Sequence, residues 1–285
     1  MNNCFEFVGN ILTTNEIAFE LHSEAISGFK VIVCLNHTFC LRLISIKQYI
    51  SANLEPSFFF DNKTFKGQRV INLWEDECLN KPQIVSSRLR ALIGINKKIP
   101  GRLCIVKRID QKVSELFLNQ NHLQGSTKAK IKLGLILKPQ YNERFGFEDN
   151  TEILLGVATF ANCRNIQIGD SKQKSAELIR IATALNINVI GGFDKLISNY
   201  EKMVLPDDMV TYIDNDWSSG GGFLRIGFVM EKQIEAIAFN INLESFERKS
   251  IKKSNLMEQD ESFSSEVYQK IYNAGSIKLR RNFRN

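Results

Sequence analysis

Two adjacent glycines, Gly191 and Gly192, stand directly before FDKLISNYEKMV, whose apolar residues recur at helical spacing. Glycine removes the side chain that would keep a ligand away from the backbone. The first turn of a helix also carries unpaired N–H groups and a partial positive charge. The glycine pair therefore indicates either a phosphate-binding helix start or a tight turn that only begins a helix.

Apolar patterns around this turn predict a mixed α+β fold with mainly antiparallel strands. The predicted strands are CIVKRI, IKLGLIL, LLGVATFA and DMVTYIDND. AELIRIATAL fits a strand, although its spacing also fits a helix, and VSELFLNQNHL fits a helix. KPQYNERFGFEDNTE predicts a connection between antiparallel strands, NCRNIQIGDSKQKS a polar loop, SSGGGFLRIG a short turn or helix, and FVMEKQIEAIAF a final hairpin.

The N-terminal part of the chain predicts a small α/β module. CFEFVGNIL, KVIVCL and RVINLW read as strands, and NEIAFELHSEAI and RLISIKQYISANL read as helices. A further helix is predicted to begin at Pro82 and to end at Gly94. The segment KKIPGR, at 97–102, is short and polar and contains Pro-Gly, so it marks a boundary. We therefore expect a module at 1–100, a second domain at 102–242 and a basic extension at 243–285.

The composition is ordinary for a globular protein. Of the 285 residues, 44% are hydrophobic and 24% are charged, and no apolar run approaches the ~18 residues of a membrane span. MNNCFEF lacks the pattern of a signal peptide. The six cysteines show no CxxC spacing and are expected to be reduced core residues, and three histidines exclude a histidine-rich metal centre. We expect a cytoplasmic protein with no membrane partner and no metal.

Positive charge is concentrated at the C-terminus. From Arg248 onward there are nine Lys and Arg against four Asp and Glu, which accounts for most of the net charge of +6. Such a segment indicates either a polyanion partner, most often nucleic acid, or a solvated end. Lys278, Arg280 and Arg281 are its candidate nucleic-acid-binding residues.

AELIRIA, VIGGFDKLI, VTYID and LRIGF follow one another in the order of the acetyltransferase-like fold known as GNAT, which the chain resembles. In that fold a splayed strand precedes a helix whose N-terminus receives the pyrophosphate of acyl-coenzyme A. The resemblance implies acetyl-CoA or another acyl-CoA as cofactor. The implied cofactor-binding residues are Asn188, Gly191, Gly192 and Lys195.

The predicted cofactor loop departs from the family's pattern. The usual loop reads Gln/Arg-x-x-Gly-x-Gly/Ala, whereas Asn188 and Phe193 occupy its first and last positions here. Lys195 lies in the first helical turn, where a cation opposes the helix dipole. Its position predicts an anion nearby, although a surface lysine needs no such reason.

Several motifs in order resemble one family of mobile-element and phage proteins. They are NHLQG (121–125), LLGVATF, AELIR (176–180), VIGGFDKL, YIDNDWSSGG (212–221), IGF (226–228) and IYNAGSIKL. The family includes the C-terminal module of phage homing endonucleases and, more remotely, the Mom family of DNA-modification proteins. NLWEDECLNKPQIVSSRLRALIG is similar to the end of the Vsr-like nuclease domain of those endonucleases. The resemblance implies a DNA partner.

A nuclease metal site is not expected in the N-terminal module. A restriction-type site needs an Asp and a Glu/Asp-x-Lys close in space. Glu75, Asp76 and Glu77 have no lysine at the matching offset. These acids are expected to begin a helix and to complement its dipole.

The candidates for moving a proton are Glu177, Asp214 and His122. A carboxylate such as Glu177 on an open strand can activate an amine. In a strand, Glu177 and Arg180 would face opposite sides and could not pair. Asp214 ends a strand, where it can position a substrate amine. His122 follows an apolar helix and either acts as a base or caps the helix end.

The candidates for binding an acceptor are Arg180, Tyr212, Asp216, Trp217 and Ser218. Arginine binds phosphate or carboxylate groups well. Asp216 either contacts substrate or caps a short helix. Trp217 either stacks on a base or packs in the core.

The predicted function is that of an acyltransferase-like enzyme acting on nucleic acid, similar to Mom-type proteins. A second hypothesis is a non-catalytic DNA-binding or targeting module of a phage or mobile-element endonuclease, which the altered loop at Asn188 and Phe193 favours. A third is a small-molecule or protein N-acetyltransferase.

Overall fold

Strands from distant parts of the sequence pair within this chain, and they belong to two compact units. The computed structural model describes residues 2–148, 151–168, 171–251 and 267–284. The first unit contains Met1–Pro82, Ile213–Gly221 and Lys232–Ile277; the second contains Gln83–Tyr212, Gly222–Glu231 and Lys278–Asn285. Both units are discontinuous in sequence, and the contiguous division at 1–100, 102–242 and 243–285 stays a prediction. Residues 252–266 of the predicted extension lie outside the described residues.

The described helices are α1 Asn2–Thr14, α2 Ile46–Ala52, α3 Phe58–Asp61, α4 Glu75–Asn80, α5 Pro82–Leu92, α6 Gln111–Asn121, α7 Gly192–Val204 and α8 Gly221–Leu224. The described strands are β1 Phe19–Ser23, β2 Lys30–Cys34, β3 Phe39–Ile44, β4 Thr64–Phe65, β5 Gln68–Trp74, β6 Lys97–Pro100, β7 Cys104–Arg108, β8 Ile131–Leu137, β9 Ile153–Phe160, β10 Arg164–Ile168, β11 Ser171–Thr183, β12 Ile187–Ile190, β13 Asp208–Asp214, β14 Val229–Ile234, β15 Ala238–Asn242, β16 Arg248–Ser250, β17 Tyr268–Tyr272 and β18 Ser276–Asn282.

The first unit is built around a five-stranded sheet of order β1-β2-β3-β5-β4, in which β3 and β5 are parallel. A three-stranded sheet of order β16-β15-β17 completes the unit. Its buried aromatic core includes Phe29, Tyr49, Phe59 and Trp74, which pack with Ile241 and Ile271. The core therefore combines the N-terminal segment with residues more than a hundred positions later.

A buried carboxylate joins the separated segments of the first unit. Asp216, 3% exposed, accepts hydrogen bonds from the Asn72 side-chain amide at 2.8 Å and the Trp74 indole at 3.2 Å. It also accepts one from the backbone N–H of Ala274 at 3.1 Å. Asn72 in turn accepts a hydrogen bond from Arg42 at 2.9 Å. A buried carboxylate without donors is strongly unfavourable, so its partners must stay in place for the unit to fold.

The second unit is built around an eight-stranded sheet whose main path is β14-β18-β13-β11-β9-β8-β7, with β10 paired to β11. β7, β8 and β9 are antiparallel neighbours, and β9 is antiparallel to β11. β11 and β13 are parallel, and α7 lies between them in sequence. α7 buries Leu196, Ile197 and Tyr200, and the Tyr200 ring stacks on Phe160 with centroids 3.9 Å apart.

β11 and β13 pair over only four residues of each strand. Their register runs from Ser175 opposite Asp208 to Leu178 opposite Thr211 and then stops. There β11 carries a bulge: Leu178 and Arg180 pair with the consecutive residues Phe160 and Thr159 of β9. Bulges bend a strand and raise its local twist. The two parallel strands therefore part at their carboxyl ends.

This strand order confirms the α+β, GNAT-like fold that the sequence predicts. The mainly antiparallel sheet, the parted parallel pair and the central helix α7 all occur in the expected order. The strands at KVIVCL, RVINLW, CIVKRI, IKLGLIL and LLGVATF and the helix from Pro82 are also confirmed.

Several local predictions were wrong. CFEFVGNIL lies in helix α1, because Cys4, Val8 and Leu12 bury one face at four-residue spacing. NEIAFELHSEAI contains strand β1, which pairs with β2. RLISIKQYISANL holds the end of β3 before α2 begins.

Two further predictions were wrong near the second sheet. The predicted polar loop NCRNIQIGDSKQKS contains β10 and the start of β11, which pair with each other. Ile166 and Ile168 give β10 only a short apolar alternation, which the polar residues around it outweigh in the sequence. Residues 169 and 170 of this segment lie outside the described residues. FVMEKQIEAIAF is not a hairpin, because β14 pairs with β18 and β15 pairs with β16 and β17.

Removing the Asp216 carboxylate tests the network of the first unit. We expect Asp216→Ala to lower the free energy of unfolding by about 2–4 kcal/mol, because buried donors lose their acceptor. Asp61→Ala, at an exposed aspartate of the same unit, should change it by less than about 0.5 kcal/mol. Urea unfolding followed by circular dichroism measures both, and equal effects would contradict the structural role of Asp216.

Candidate functional site: the parted strands and the start of helix α7

Helix α7 begins without a side-chain cap. Gly191 is its N-cap residue, in the left-handed region at φ 74°, and its carbonyl accepts the first helical hydrogen bond from the N–H of Lys195 at 3.1 Å. The N–H groups of Gly192, Phe193 and Asp194 thus precede the first helical bond. A Cβ built on Gly191 would meet nothing within 4 Å. An anion can therefore approach these amides, and the helix dipole favours it.

The neighbouring glycines are required by packing instead. A Cβ on Gly192 would lie 2.8 Å from the Leu135 side chain and 3.0 Å from that of Val189. A Cβ on Gly101 would lie 2.8 Å from the carbonyl oxygen of Ile190. Of the predicted pair, Gly191 alone faces open space. Asn188 is exposed on β12, opposite Lys98 of β6.

Lys195 is held by backbone carbonyls. Its ammonium donates to the carbonyl of Gly101 at 3.0 Å and to that of Cys104 at 2.5 Å. These contacts account for a lysine in the first turn of the helix without a bound anion. Its predicted role in cofactor binding stays a prediction.

A second cation lies at the same helix turn. Arg281 on β18 donates to the Asp194 carboxylate at 3.0 Å. Asp194 is the acidic residue of the first turn of α7. The ion pair offsets a negative charge that would otherwise repel an anion at the amides of the first turn.

The bulge in β11 brings three predicted residues to one face of the sheet. Because Leu178 and Arg180 pair with consecutive residues of β9, they face opposite sides, and Arg180 shares the face of Glu177. The expectation that Glu177 and Arg180 face opposite sides was therefore wrong. Val210 lies opposite Glu177, so Tyr212 of β13 shares this face as well, and it is 47% exposed.

Side chains satisfy the carbonyls of β11 where the strands part. The Thr211 hydroxyl donates to the carbonyl of Leu178 at 3.0 Å, and Arg180 Nη1 donates to that of Ile179 at 2.9 Å. Burial lowers the pKa of Arg180, and the charge of Glu177 acts in the opposite direction. Arg180 Nε is buried and makes no hydrogen bond within the described residues. Side chains thus satisfy these two carbonyls at the place where β11 and β13 separate, although the strands do not pair there.

α7 lies on the opposite face from these residues. Tyr200 of α7 stacks on Phe160, which pairs with Leu178 and therefore shares its face. The start of α7 and the carboxyl ends of β11 and β13 lie at one edge, because α7 connects the two parallel strands.

The remaining residues predicted to move a proton serve local structure. His122 ends α6, and its Nδ1 accepts a hydrogen bond from the N–H of Gln124 at 3.1 Å. Asp214 accepts from the N–H of Asp216 at 3.0 Å, and its carbonyl accepts from the N–H groups of Trp217 and Ser218. These contacts form a tight turn after β13 in the first unit.

Of the acidic residues around this turn, Asp216 is buried, whereas Asp214 and Glu77 are partly exposed. Burial and the charge of Asp214 raise the pKa of Asp216 to about 8, while the Asn72 hydrogen bond acts in the opposite direction. Trp217 is 3% exposed and donates its indole N–H to Glu77 at 3.0 Å. Ser218 Oγ accepts from the N–H of Gly220 at 3.0 Å. In this unit Asp216 and Trp217 act in the core, and a role for them in acceptor binding stays a prediction.

The candidate nucleic-acid-binding residues take part in ion pairs of the second unit. Lys278 and Arg280 both contact Glu231, at 2.7 Å and 2.8 Å, and Arg280 also pairs with Asp208. Arg281 pairs with Asp194 as described above. The described part of the basic segment forms the strands β16, β17 and β18. Lys252 and Lys253 lie outside the described residues. A nucleic-acid role for Lys278, Arg280 and Arg281 stays a prediction.

Three features of the site escape sequence reasoning. The bulge at Ile179, the Thr211 hydroxyl and the Asp194–Arg281 pair depend on contacts between residues distant in sequence. Glycines and helical periodicity are local signals, whereas none of these three features leaves a local signal in the sequence.

Among the residues that the structure describes, no group of three His, Cys, Asp or Glu could hold a metal ion, and no helix is long and apolar enough to cross a membrane.

Truncating Lys195 tests whether its role is structural. We expect Lys195→Ala to lower the free energy of unfolding by about 1–2 kcal/mol, because two carbonyls lose a charged donor. Lys202→Ala, at an exposed lysine of the same helix, should change it by less than about 0.5 kcal/mol. Thermal and urea unfolding measure both variants, and an unchanged stability for Lys195→Ala would contradict the structural reading.

Comparisons with known proteins give distant matches. No family model matches the sequence, and no curated protein matches it. One similar solved structure is the NatC complex bound to Gag peptide and CoA, at 11% identity over 63% of this chain and 98% of that chain, with a TM-score of 0.35. Arabidopsis thaliana NAA60 in complex with a bisubstrate analogue matches at 7% identity over 63% and 99%, with a TM-score of 0.35. The KacTA–DNA complex matches at 17% identity over 45% and 86%, with a TM-score of 0.31. At these TM-scores the fold assignment rests on the strand order, the bulge and helix α7.

Proposed function

We propose that the second unit is an acyl-CoA-dependent N-acyltransferase. The observation that carries this proposal is the parting of β11 and β13 at the edge where α7 begins. A pair of parallel strands loses backbone hydrogen bonds by parting, so the gap has a cost that a bound linear ligand would offset. An acyl-CoA has a diphosphate for a helix start and an extended arm for a gap between strands.

The residues at the start of α7 fit the diphosphate of such a donor. Gly191 offers open space, and the amides of Gly192 and Phe193 point from the first turn. Arg281 supplies a cation at the same turn while balancing Asp194. When bound, acyl-CoA would supply an activated thioester. Asn188 and Lys195 are proposed as outer contacts of this donor.

The opposite face holds the residues for the acceptor. Glu177 shares it with Tyr212 and Arg180, so an amine approaching the gap from that side meets a carboxylate. Glu177 is proposed to take the proton of the amine as it attacks. Arg180 has an unpaired Nε and is proposed to orient a phosphate or carboxylate of the acceptor. Donor and acceptor thus approach from different faces.

Charge placed at Gly191 tests donor binding. We expect Gly191→Asp to weaken CoA binding at least about tenfold relative to Gly191→Asn, because a carboxylate repels the diphosphate. Asparagine has the same shape and tolerates the left-handed conformation as well as aspartate does. Isothermal titration calorimetry with CoA measures both variants. Equal CoA affinities for the two variants would contradict binding of the donor's diphosphate at Gly191.

Neutralising Glu177 tests the proton transfer. We expect Glu177→Gln to lower kcat for acetyl transfer about 100-fold or more, because the amine loses its general base. CoA affinity should stay within about twofold, since Glu177 does not lie at α7. Acetyl-CoA turnover with a panel of amines measures kcat, and titration calorimetry measures affinity. An unchanged kcat would remove Glu177 from the mechanism.

We propose nucleic acid, as in Mom-type DNA modification, as the acceptor class. The motif resemblance supports it, and so do exposed basic residues of the second unit at Lys128, Lys130, Arg164 and Lys172. A small-molecule or protein amine is the competing acceptor. A DNA-binding module without catalysis is the third possibility, which measurable acetyl transfer would exclude.

Salt dependence separates these acceptor classes. We expect the affinity for duplex or single-stranded DNA to fall about tenfold or more between low and moderate salt, because phosphate contacts release counterions. The double variant Arg164→Ala/Lys172→Ala should reduce the slope, whereas Lys202→Ala should not. Fluorescence anisotropy measures both. An absence of DNA and RNA binding at moderate salt would favour a small-molecule or protein acceptor.

A further inference from the structure

Two thiols lie side by side in the first unit. The sulfurs of Cys4 and Cys78 are 3.0 Å apart, although the residues are 74 positions apart in sequence. Cys4 lies on α1 and Cys78 on α4, and they are 8% and 6% exposed. The two helices hold their sulfurs in hydrogen-bonding contact, about 1 Å farther apart than in a disulfide bond.

No other two described cysteines of this unit share such an arrangement. Cys34 and Cys40 lie on the neighbouring strands β2 and β3, where Val33 is directly opposite Cys40. Since neighbouring residues of a strand alternate in direction, Cys34 faces the other side of the sheet from Cys40. Cys104 and Cys163 belong to the second unit.

One thiol of the pair borders a cavity. An open cavity is lined by Cys4 together with Phe5, Lys30, Gln48 and Glu75. Lys30, Gln48 and Glu75 contribute polar groups to a lining that is otherwise largely apolar. Cys78 is not part of the cavity lining. Cys4 is therefore the thiol of the pair that borders the cavity.

We propose that Cys4 and Cys78 form a redox-sensitive dithiol, which a small disulfide such as oxidised glutathione converts to an intramolecular disulfide. The Cys4 sulfur attacks one sulfur of the oxidised glutathione, forms a mixed disulfide and releases one glutathione. The Cys78 sulfur then attacks the Cys4 sulfur of that mixed disulfide and releases the second glutathione. The two protein thiols are oxidised, one glutathione disulfide is reduced, and the two protons pass to the released glutathiones.

The order of attack follows from the surroundings of the second thiol. The hydrogen bond with Cys4 and burial raise the pKa of Cys78, so Cys78 stays protonated while the pair is reduced. Once the Cys4 sulfur is bound in a mixed disulfide, this hydrogen bond is lost. Cys78 is then adjacent to the sulfur it must attack.

The disulfide would fix a helix that carries two structural acids. α4 also contains Asp76, which pairs with Arg248 at 2.7 Å, and Glu77, which accepts from the Trp217 indole. Linking α4 to α1 therefore restrains the contacts that join the first unit's separate segments. Oxidation should raise the urea midpoint of the wild-type protein, because the cross-link closes a long loop.

Peptide mapping of the wild-type full chain tests the proposal directly. The protein is equilibrated with oxidised or reduced glutathione, its free thiols are alkylated, and it is digested without reduction. We expect oxidation to protect two of the six thiols, to reduce the mass by two hydrogen atoms and to yield one linked peptide pair containing Cys4 and Cys78. Six alkylated thiols after oxidation, or a linked pair that contains another cysteine, would overturn the proposal.

Single variants test the order of attack. In Cys78→Ser we expect Cys4 to accumulate as a glutathione adduct, because the resolving thiol is missing. In Cys104→Ser, a buried cysteine of the other unit, the Cys4–Cys78 linkage should form as in the wild type. If Cys78→Ser carries no adduct at Cys4 while the wild-type disulfide forms, Cys4 is not the attacking thiol and the proposed sequence of steps is wrong.

Discussion

The end of hydrogen bonding between β11 and β13 is the constraint on which the site depends. After Leu178 and Thr211 the two strands no longer pair, because the bulge at Ile179 turns β11 towards β9. Unpaired backbone groups inside a sheet are costly. Thr211 and Arg180 satisfy two of the carbonyls with side chains, which lets the gap persist without closing.

The same bulge determines which side chains can act together. Without it, Glu177 and Arg180 would face opposite sides of the strand; with it, they share a face with Tyr212. The start of α7 belongs to the other face, through the packing of Tyr200 on Phe160. In the proposed function, the donor region at Gly191 and the acceptor region at Glu177 lie on different faces of the sheet and meet at the gap.

Sequence reasoning succeeded where the signal is local. The helix after Gly191, the strand alternation of LLGVATF and the helix from Pro82 to near Gly94 follow from periodicity and from glycine and proline conformations. The prediction was wrong for CFEFVGNIL, because its β-favouring residues outweighed the burial of every fourth residue that marks a helix. It was also wrong for the β10–β11 pair, whose residues are mostly polar. The bulge and the contact of Arg281 with Asp194 depend on residues distant in sequence, so no local sequence pattern predicts them.

The central claim is that a diphosphate binds at the start of α7 while the acyl arm enters the gap between β11 and β13. A crystal structure of the protein with CoA tests it most directly. We expect phosphate oxygens within hydrogen-bonding distance, about 2.7–3.2 Å, of the N–H groups of Gly192 and Phe193, and the arm between the parted strands. A CoA bound elsewhere, or a gap that stays empty at saturating CoA, would contradict this account.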